Sequence, residues 1–325
     1  MEKALVAVMA LALVLASTSV EAKGDALPAA RDAALEFLAR QGGDGAYPAG
    51  LAPYAVEAAV AAGLDAASWP SRERSALAGV LVPAMGEPLL RLVRPAHAIA
   101  LAGGDLTDWN GDDLETRLRA GFDGAQFGDA VLLNDDAYAL LALRATGAPS
   151  DDAMVESSAR FLADHQNADG GWGYAAGSSS GTDTTGMVLA ALASGVETGA
   201  TAWASDGRAF VNTTRAGAGY AEMPGGTANC DSTVWALRTL GDHGDAQAWE
   251  FLLGLQQADG GVAYQPGQPS NALCTAEAAA LFADAAAGRI PAPGFGSDRG
   301  VPASSAILAS ALLVGLAAAT RFRRN

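Results

Sequence analysis

Phe161-Leu162-Ala163-Asp164-His165-Gln166-Asn167-Ala168-Asp169-Gly170-Gly171-Trp172-Gly173-Tyr174 has a second copy in Phe251-Leu252-Leu253-Gly254-Leu255-Gln256-Gln257-Ala258-Asp259-Gly260-Gly261-Val262-Ala263-Tyr264. Each copy reads as an outer helix running into Gln-x-x-Asp-Gly-Gly, then a polar loop and an Ala/Leu-rich inner helix. A degenerate copy opens at Phe37-Leu38-Ala39-Arg40-Gln41, with Asp44-Gly45-Ala46-Tyr47 after it. Repetition at this period is the mark of a fold built by stacking one supersecondary unit.

The inner helices align as well. Tyr54 to Gly63 matches Tyr138 to Gly147, and Asp183 to Leu192 matches Asp231 to Leu240. Starts near Tyr54, Pro95, Asp136, Thr184, Ser232 and Cys274 give six hairpins, which fill residues 25–289. Stretches such as Glu277 to Phe282 are apolar nearly all round and predict buried inner helices. Outer ones such as Asp151 to His165 have a charged and an apolar face. Gly-Gly is expected to end each outer helix in left-handed geometry. Asp183 and Asp231 are expected to cap the inner helices, where orphan N–H groups and the dipole favour a carboxylate. The fold class is all-α, an α6/α6 toroid of six helical hairpins; an open solenoid is the competing arrangement.

Composition sets limits on partners. Twenty Lys+Arg against 36 Asp+Glu leave a net charge of -16, which argues against nucleic acid because no basic surface displaces its counterions. Half the residues are hydrophobic, too many for a disordered chain. A lysine-poor, acid-rich chain suits a GC-rich or salt-adapted host.

Both ends read as targeting segments. Residues 1–22 have a charged start, an apolar run and the small-residue site Val20-Glu21-Ala22, as in a secretory signal peptide. Residues 304–320 carry no charge and cover about 25 Å as a helix, enough for a transmembrane span in a thin bilayer. Arg321, Arg323 and Arg324 (tail 321–325) should stay cytoplasmic, leaving the main domain extracellular. A Pro/Gly linker, 290–303, precedes the span. Within it, Pro293-Gly294-Phe295 resembles the PGF-type archaeal sorting tails that sortase-like transpeptidases process. The expected location is the cell membrane or cell surface. Cys230 and Cys274 fall in the exported part, where a disulfide between them is a candidate against two buried thiols.

Gln166 to Gly173, with the helix starts Thr182-Asp183-Thr184-Thr185 and Asp231-Ser232-Thr233, resembles the repeat of squalene cyclases and protein prenyltransferase β subunits. The resemblance implies six inner and six outer helices around a central cavity, and no particular activity. Class II terpene cyclases protonate an alkene with the central Asp of Asp-x-Asp-Asp. The nearest match here is Leu133-Asn134-Asp135-Asp136-Ala137, which keeps only the acidic pair. Asp135, Asp136 and Asp183 are the catalytic candidates; helix capping is the bland account of Asp135 and Asp183. The zinc set of prenyltransferases is incomplete: Cys230-Asp231 could imitate two ligands, but His97, His165 and His243 match no family position. No metal or cofactor is expected. Asp108 to Glu115 begins like a calcium loop but lacks its glycine and its twelfth acid, so it reads as a helix cap.

These readings converge on an exported, membrane-anchored binding or structural module for an apolar small molecule or peptide. The ligand-binding candidates are Tyr138, Trp172, Trp235 and Asp231. An isoprenoid-processing enzyme using Asp135, Asp136 or Asp183 is the alternative. A gapped arc, or carboxylates converging deep in an aromatic hollow, would overturn the non-catalytic reading.

Overall fold

The computed structural model describes residues 26–42, 47–195, 202–241 and 245–290. Six helices form the inner set: α2 (Ala52–Ala61), α3 (Leu90–Leu101), α5 (Leu133–Ala145), α7 (Thr182–Gly195), α9 (Cys230–Leu240) and α11 (Ala272–Ala286). Five form the outer set: α1 (Ala26–Gln41), α4 (Leu114–Ala120), α6 (Ala153–Asp164), α8 (Ala202–Thr213) and α10 (Ala246–Gly254). Going round, α2 packs on α3, α3 on α5, α5 on α7, α7 on α9, α9 on α11, and α11 returns to α2. The ring is closed, consistent with an all-α toroid and not with an open stack.

Among the described residues there is no sixth outer helix. Between α2 and α3 the chain makes only two 3₁₀ turns, Arg72–Arg74 and Leu77–Gly79. That segment holds Pro70 and Pro83 and is too short in apolar period to build a helical face. Two short antiparallel ribbons, Arg215–Ala216 with Gly219–Tyr220 and Val262–Ala263 with Ser270–Asn271, lie in loops that lead into inner helices. Among the described residues no helix is long and apolar enough to cross a membrane. Residues 1–22, the linker beyond Ile290 and the span at 304–320 lie outside the described residues.

Alanine and glycine let the inner helices approach closely. A Cβ on Gly186 of α7 would stand 2.9 Å from the Trp235 ring and from Thr239 Oγ1 of α9. A glycine inside a helix costs about 1 kcal/mol relative to alanine, so its place here answers to this contact.

The Gln-x-x-Asp-Gly-Gly motif works differently from its reading as a helix stop. Helix α6 ends at Asp164, and Gly170 lies beyond it in a turn whose N–H donates to the Asn167 carbonyl, at φ +86°. The Asp169 carboxylate accepts from Gly171 N and Ser180 Oγ, and Asp259 accepts identically from Gly261 N and Ser270 Oγ. Gln166 Nε2 donates to its own Gly170 carbonyl and to Trp203 of the next outer helix. Gln256 Nε2 does the same with Gly260 and Ala30, so the last outer helix is stapled to the first. The motif is therefore an inter-repeat clamp.

Candidate functional site

Several charged side chains of the inner helices pair with one another across neighbouring helices. Glu57 on α2 meets Arg94 and His97 on α3, at 3.1 Å and 3.6 Å. Arg94 also donates to the Tyr138 hydroxyl of α5 at 2.6 Å, and its guanidinium lies 3.4 Å from the centroid of the Tyr54 ring. Burial alone would raise the Glu57 carboxyl, but Arg94 and His97 outweigh it and hold it down at about 2. Burial raises the Tyr138 hydroxyl. Arg238 of α9 acts on Glu57 across the ring and stands 3.9 Å from Asp284 of α11. Trp235 shares the stripe of Asp231 and Arg238, at helical spacing, with the Arg238 guanidinium 5.8 Å from its ring.

Nearer the N-terminal ends of these helices four carboxyls gather: Asp183 on α7, Asp231 on α9, Glu277 on α11, and Glu222 from the loop before α9. Asp183 faces Glu222, with Asp231 and Ser232 close by, and burial together with Glu222 pushes it up to about 9. Glu277 faces Asp231, and burial with that neighbour raises it well above the ordinary carboxylate range. Carboxyl groups this close cannot all ionise, and Asp183, at about 9, holds a proton at neutral pH. Among the described residues no three His, Cys, Asp or Glu side chains are arranged to hold a metal ion.

The rim above this cluster follows the repeat. The carbonyls of Tyr174, Glu222 and Tyr264 accept from the first N–H of α5, α7 and α9, namely Leu133, Thr182 and Cys230. Glu222 thus takes the place that tyrosine holds in the two neighbouring repeats, and a Cβ on Gly181 would collide with its carboxylate.

The candidates named from sequence divide. Tyr138 accepts from Arg94, Asp183 and Asp231 lie near one another, and Trp235 packs beside Gly186 of α7. Asp135 and Asp136 belong to neither group. Both are buried, Asp136 accepting from Phe127 N at 3.0 Å and Ser158 Oγ at 2.8 Å, Asp135 from Asp129 N at 2.9 Å. They tie down the loop before α5 rather than cap their own helix, and burial raises Asp136 to about 7. Trp172 is fully buried, its indole N–H donating to the Leu162 carbonyl at 2.7 Å. Asn229, not Asp231, caps α9, accepting from Ser232 N, while Asp183 and Asp231 sit second in their helices. Asp113 caps α4 through Thr116 N, so the acidic run at 108–115 is a turn and a cap.

Cys230 and Cys274 are free and buried, with Cys230 Sγ 3.6 Å from the Cys274 carbonyl; the candidate disulfide is not formed. The first turns of α9 and α11 bring the residues together, but the Cys230 thiol is turned to backbone. Burial raises that thiol, so little thiolate is available to react. Intact mass should be unchanged by reductant, with both thiols alkylated only after denaturation. A gain of two hydrogens on reduction would restore the disulfide.

Glu57, Arg94, His97, Glu222 and Glu277 were not singled out from sequence. The usable sign was a charge at i, i+3 or i+4 from an aromatic or another charge on an otherwise apolar helix, as in Tyr54-x-x-Glu57 and Arg94-x-x-His97. Glu222 lies in a loop and carries no such sign.

No curated protein matches the chain. Residues 123–223, running from the turn before α5 to the rim loop that carries Glu222, match the family model described as squalene-hopene cyclase C-terminal domain, a likeness consistent with the terpene cyclase/prenyltransferase-like superfamily.

Proposed function

We propose that this chain is a binding module that holds a ligand in the hollow of its toroid and performs no chemistry on it. The observation that carries this is the state of its acids. An acid that protonates an alkene needs a stabilised conjugate base, whereas burial and Glu222 destabilise the ionised form of Asp183, making it a weak acid. Asp135 and Asp136, the pair nearest to the cyclase motif, are engaged by backbone and Ser158. Carboxyls do converge in the ring, but among charges and with Tyr54, Tyr138 and Trp235 as the aromatic faces in their stripes. That surroundings suits recognition of polar charge better than carbocation steering.

The leader at 1–22 and the apolar stretch at 304–320 followed by arginines support export and a membrane anchor, with the toroid outside the cell. Protease treatment of intact cells should then remove the toroid. The likeness to the squalene-hopene cyclase domain favours the second reading, an isoprenoid-processing enzyme.

Turnover separates the two. The full chain incubated with squalene or geranylgeranyl diphosphate should give no product. Product formation abolished by Asp136→Asn or Asp183→Asn would establish the enzyme instead.

A further inference from the structure

We propose that Asn212 is an N-glycosylation site, on which a transferase places an oligosaccharide from a polyprenyl-phosphate-linked donor before the toroid closes. The site rests on the leader at 1–22 carrying the chain across a membrane, and is independent of what the hollow binds.

Asn212-Thr213-Thr214 supplies the asparagine, a middle residue other than proline and the hydroxyl residue of the acceptor sequence. No other asparagine of the chain is followed two places on by serine or threonine. Such triplets also arise by chance, and the surroundings of this one separate the two cases. Four other asparagines have a use in the fold. Asn229 and Asn271 cap α9 and α11, Asn167 ties its turn to Ser178 and Ser180, and Asn110 takes a left-handed turn. Asn212 caps nothing and turns nothing. It stands in the last turn of α8, where asparagine favours the helix less than alanine, leucine or arginine would. Its Nδ2 donates to the Arg208 carbonyl one turn back, at 3.1 Å and in the open.

A sugar has room there. Helix α8 buries Gly207, Phe210 and Val211, while Asp206, Ala209, Asn212 and Thr213 form its exposed side. The next long side chain, Arg215, is drawn away to Asp245 and Gln247 at the start of α10. Beyond it Ala216-Gly217-Ala218-Gly219 carries nothing larger than a methyl group. The fold also loses no bond, because a glycosylated amide keeps one N–H, which is enough for the Arg208 carbonyl. In the transfer, Asn212 Nδ2 bonds to the anomeric carbon of the sugar as the bond from that carbon to the phosphate oxygen breaks. The lipid phosphate leaves with the electron pair and the amide gives up one proton, with no change of oxidation state.

Thr214 sets the time of addition. Its side chain is fully buried: Oγ1 donates to the Val211 carbonyl at 2.8 Å and accepts from Thr182 Oγ1 of α7, also at 2.8 Å. A transferase that reads this hydroxyl cannot reach it once α8 lies against the start of α7. Asn212 itself stays outside in the finished fold. The sugar is therefore added to the open chain and ends on the outer wall, where the helices close without displacing it.

The test is peptide mass spectrometry on the full chain isolated from the membranes of the cells that make it. Trypsin cuts after Arg208 and Arg215 and releases Ala209 to Arg215 as one peptide. That peptide should carry the mass of one or more sugar residues, placed on Asn212 by fragmentation. Asn212→Gln, a change on the exposed side of α8, should abolish the added mass, and Thr214→Ser should keep it. The same digest reads whether residues 1–22 have been removed. A bare peptide in a chain that has lost its leader overturns the site and leaves export standing; a bare peptide with the leader retained overturns both. Sugar mass that persists in Asn212→Gln overturns the assignment to this residue. For the timing, sugar-free folded chain and the synthetic peptide Ala209 to Arg215 are each given an oligosaccharyltransferase and its lipid-linked donor. The folded chain should react at least about tenfold more slowly, since the Thr214 hydroxyl must first open from two hydrogen bonds. Equal rates overturn addition before folding.

Discussion

Replacing Trp172 with alanine should lower the unfolding free energy by about 3–5 kcal/mol, the range for truncating a buried large aromatic. The indole is wholly inside the protein, and its neighbours have no slack to fill the gap. A Cβ on Gly207 of α8 would already lie 3.0 Å from the ring, and Leu189 of α7 crowds the same spot. Two further contacts make Trp172 a joint between layers. Its indole N–H satisfies the Leu162 carbonyl in the last turn of α6, and its backbone N–H donates to Thr185 Oγ1 of α7 at 2.9 Å. Alanine keeps the second and abandons the first. Phenylalanine keeps most of the packing and should cost less, about 1 kcal/mol for the lost indole hydrogen bond, since the Leu162 carbonyl still accepts from His165 N. Urea unfolding decides: the midpoint should fall in the order native, phenylalanine, alanine, with the slope unchanged. A midpoint within error of native in the alanine variant would show the site to be loosely packed.

A comparable loss is expected from Arg94→Met. Removing one partner of a buried pair costs about 3–5 kcal/mol, and this half-buried pair, with His97 still beside Glu57, should approach the lower end. The Glu57 carboxyl sits at about 2 because Arg94 and His97 outweigh its burial. A depressed carboxyl contributes stability above its unfolded value, lost as pH falls toward 2. Without Arg94 that contribution shrinks, since only His97 and Arg238 then oppose the burial that raises the group. The penalty of the variant should therefore be larger at pH 8 than at pH 4, where Glu57 can take up a proton. Adding Glu57→Gln should recover most of the loss, since the uncompensated charge is then gone. Thermal melts of the four proteins at both pH values measure this. A penalty independent of pH and unrelieved by Glu57→Gln would mean that Arg94 acts through packing against Tyr54 and Tyr138.

The ring was readable because each repeat repeats its chemistry. The threonines show why. Thr185 accepts from Trp172 N, Thr233 from Tyr220 N and Thr275 from Val262 N, so three helix starts carry the same hydroxyl for the same bond. Where that pattern fades, between α2 and α3, the outer helix fades as well. The site was less legible. Asp183 and Asp231 stood out through their place in the repeat, and both join the carboxyl cluster. Asp135 and Asp136 stood out through resemblance, yet both point to the loop, where they accept from Asp129 N and Phe127 N. Glu277 was hidden in an alanine run that read as uniformly buried, and its role depends on five other helices that no local window contains. The Gly-Gly pair was taken for a helix stop because both roles need a positive φ, and only the position of Asp164 separates them.

The clamp between Gln256 and Ala30 has a consequence for how this molecule comes into being. Leu27 and Ile290 share one apolar cluster, so the two extremities of the wheel are sealed against each other. A linear array can gain order piece by piece as it is made, since every unit needs only its predecessor. Here the opening helix waits, its greasy side bare, until the final helix has been synthesised. Contacts so distant along the chain form late and slowly. That first helix therefore stays unpaired until α11 has been made.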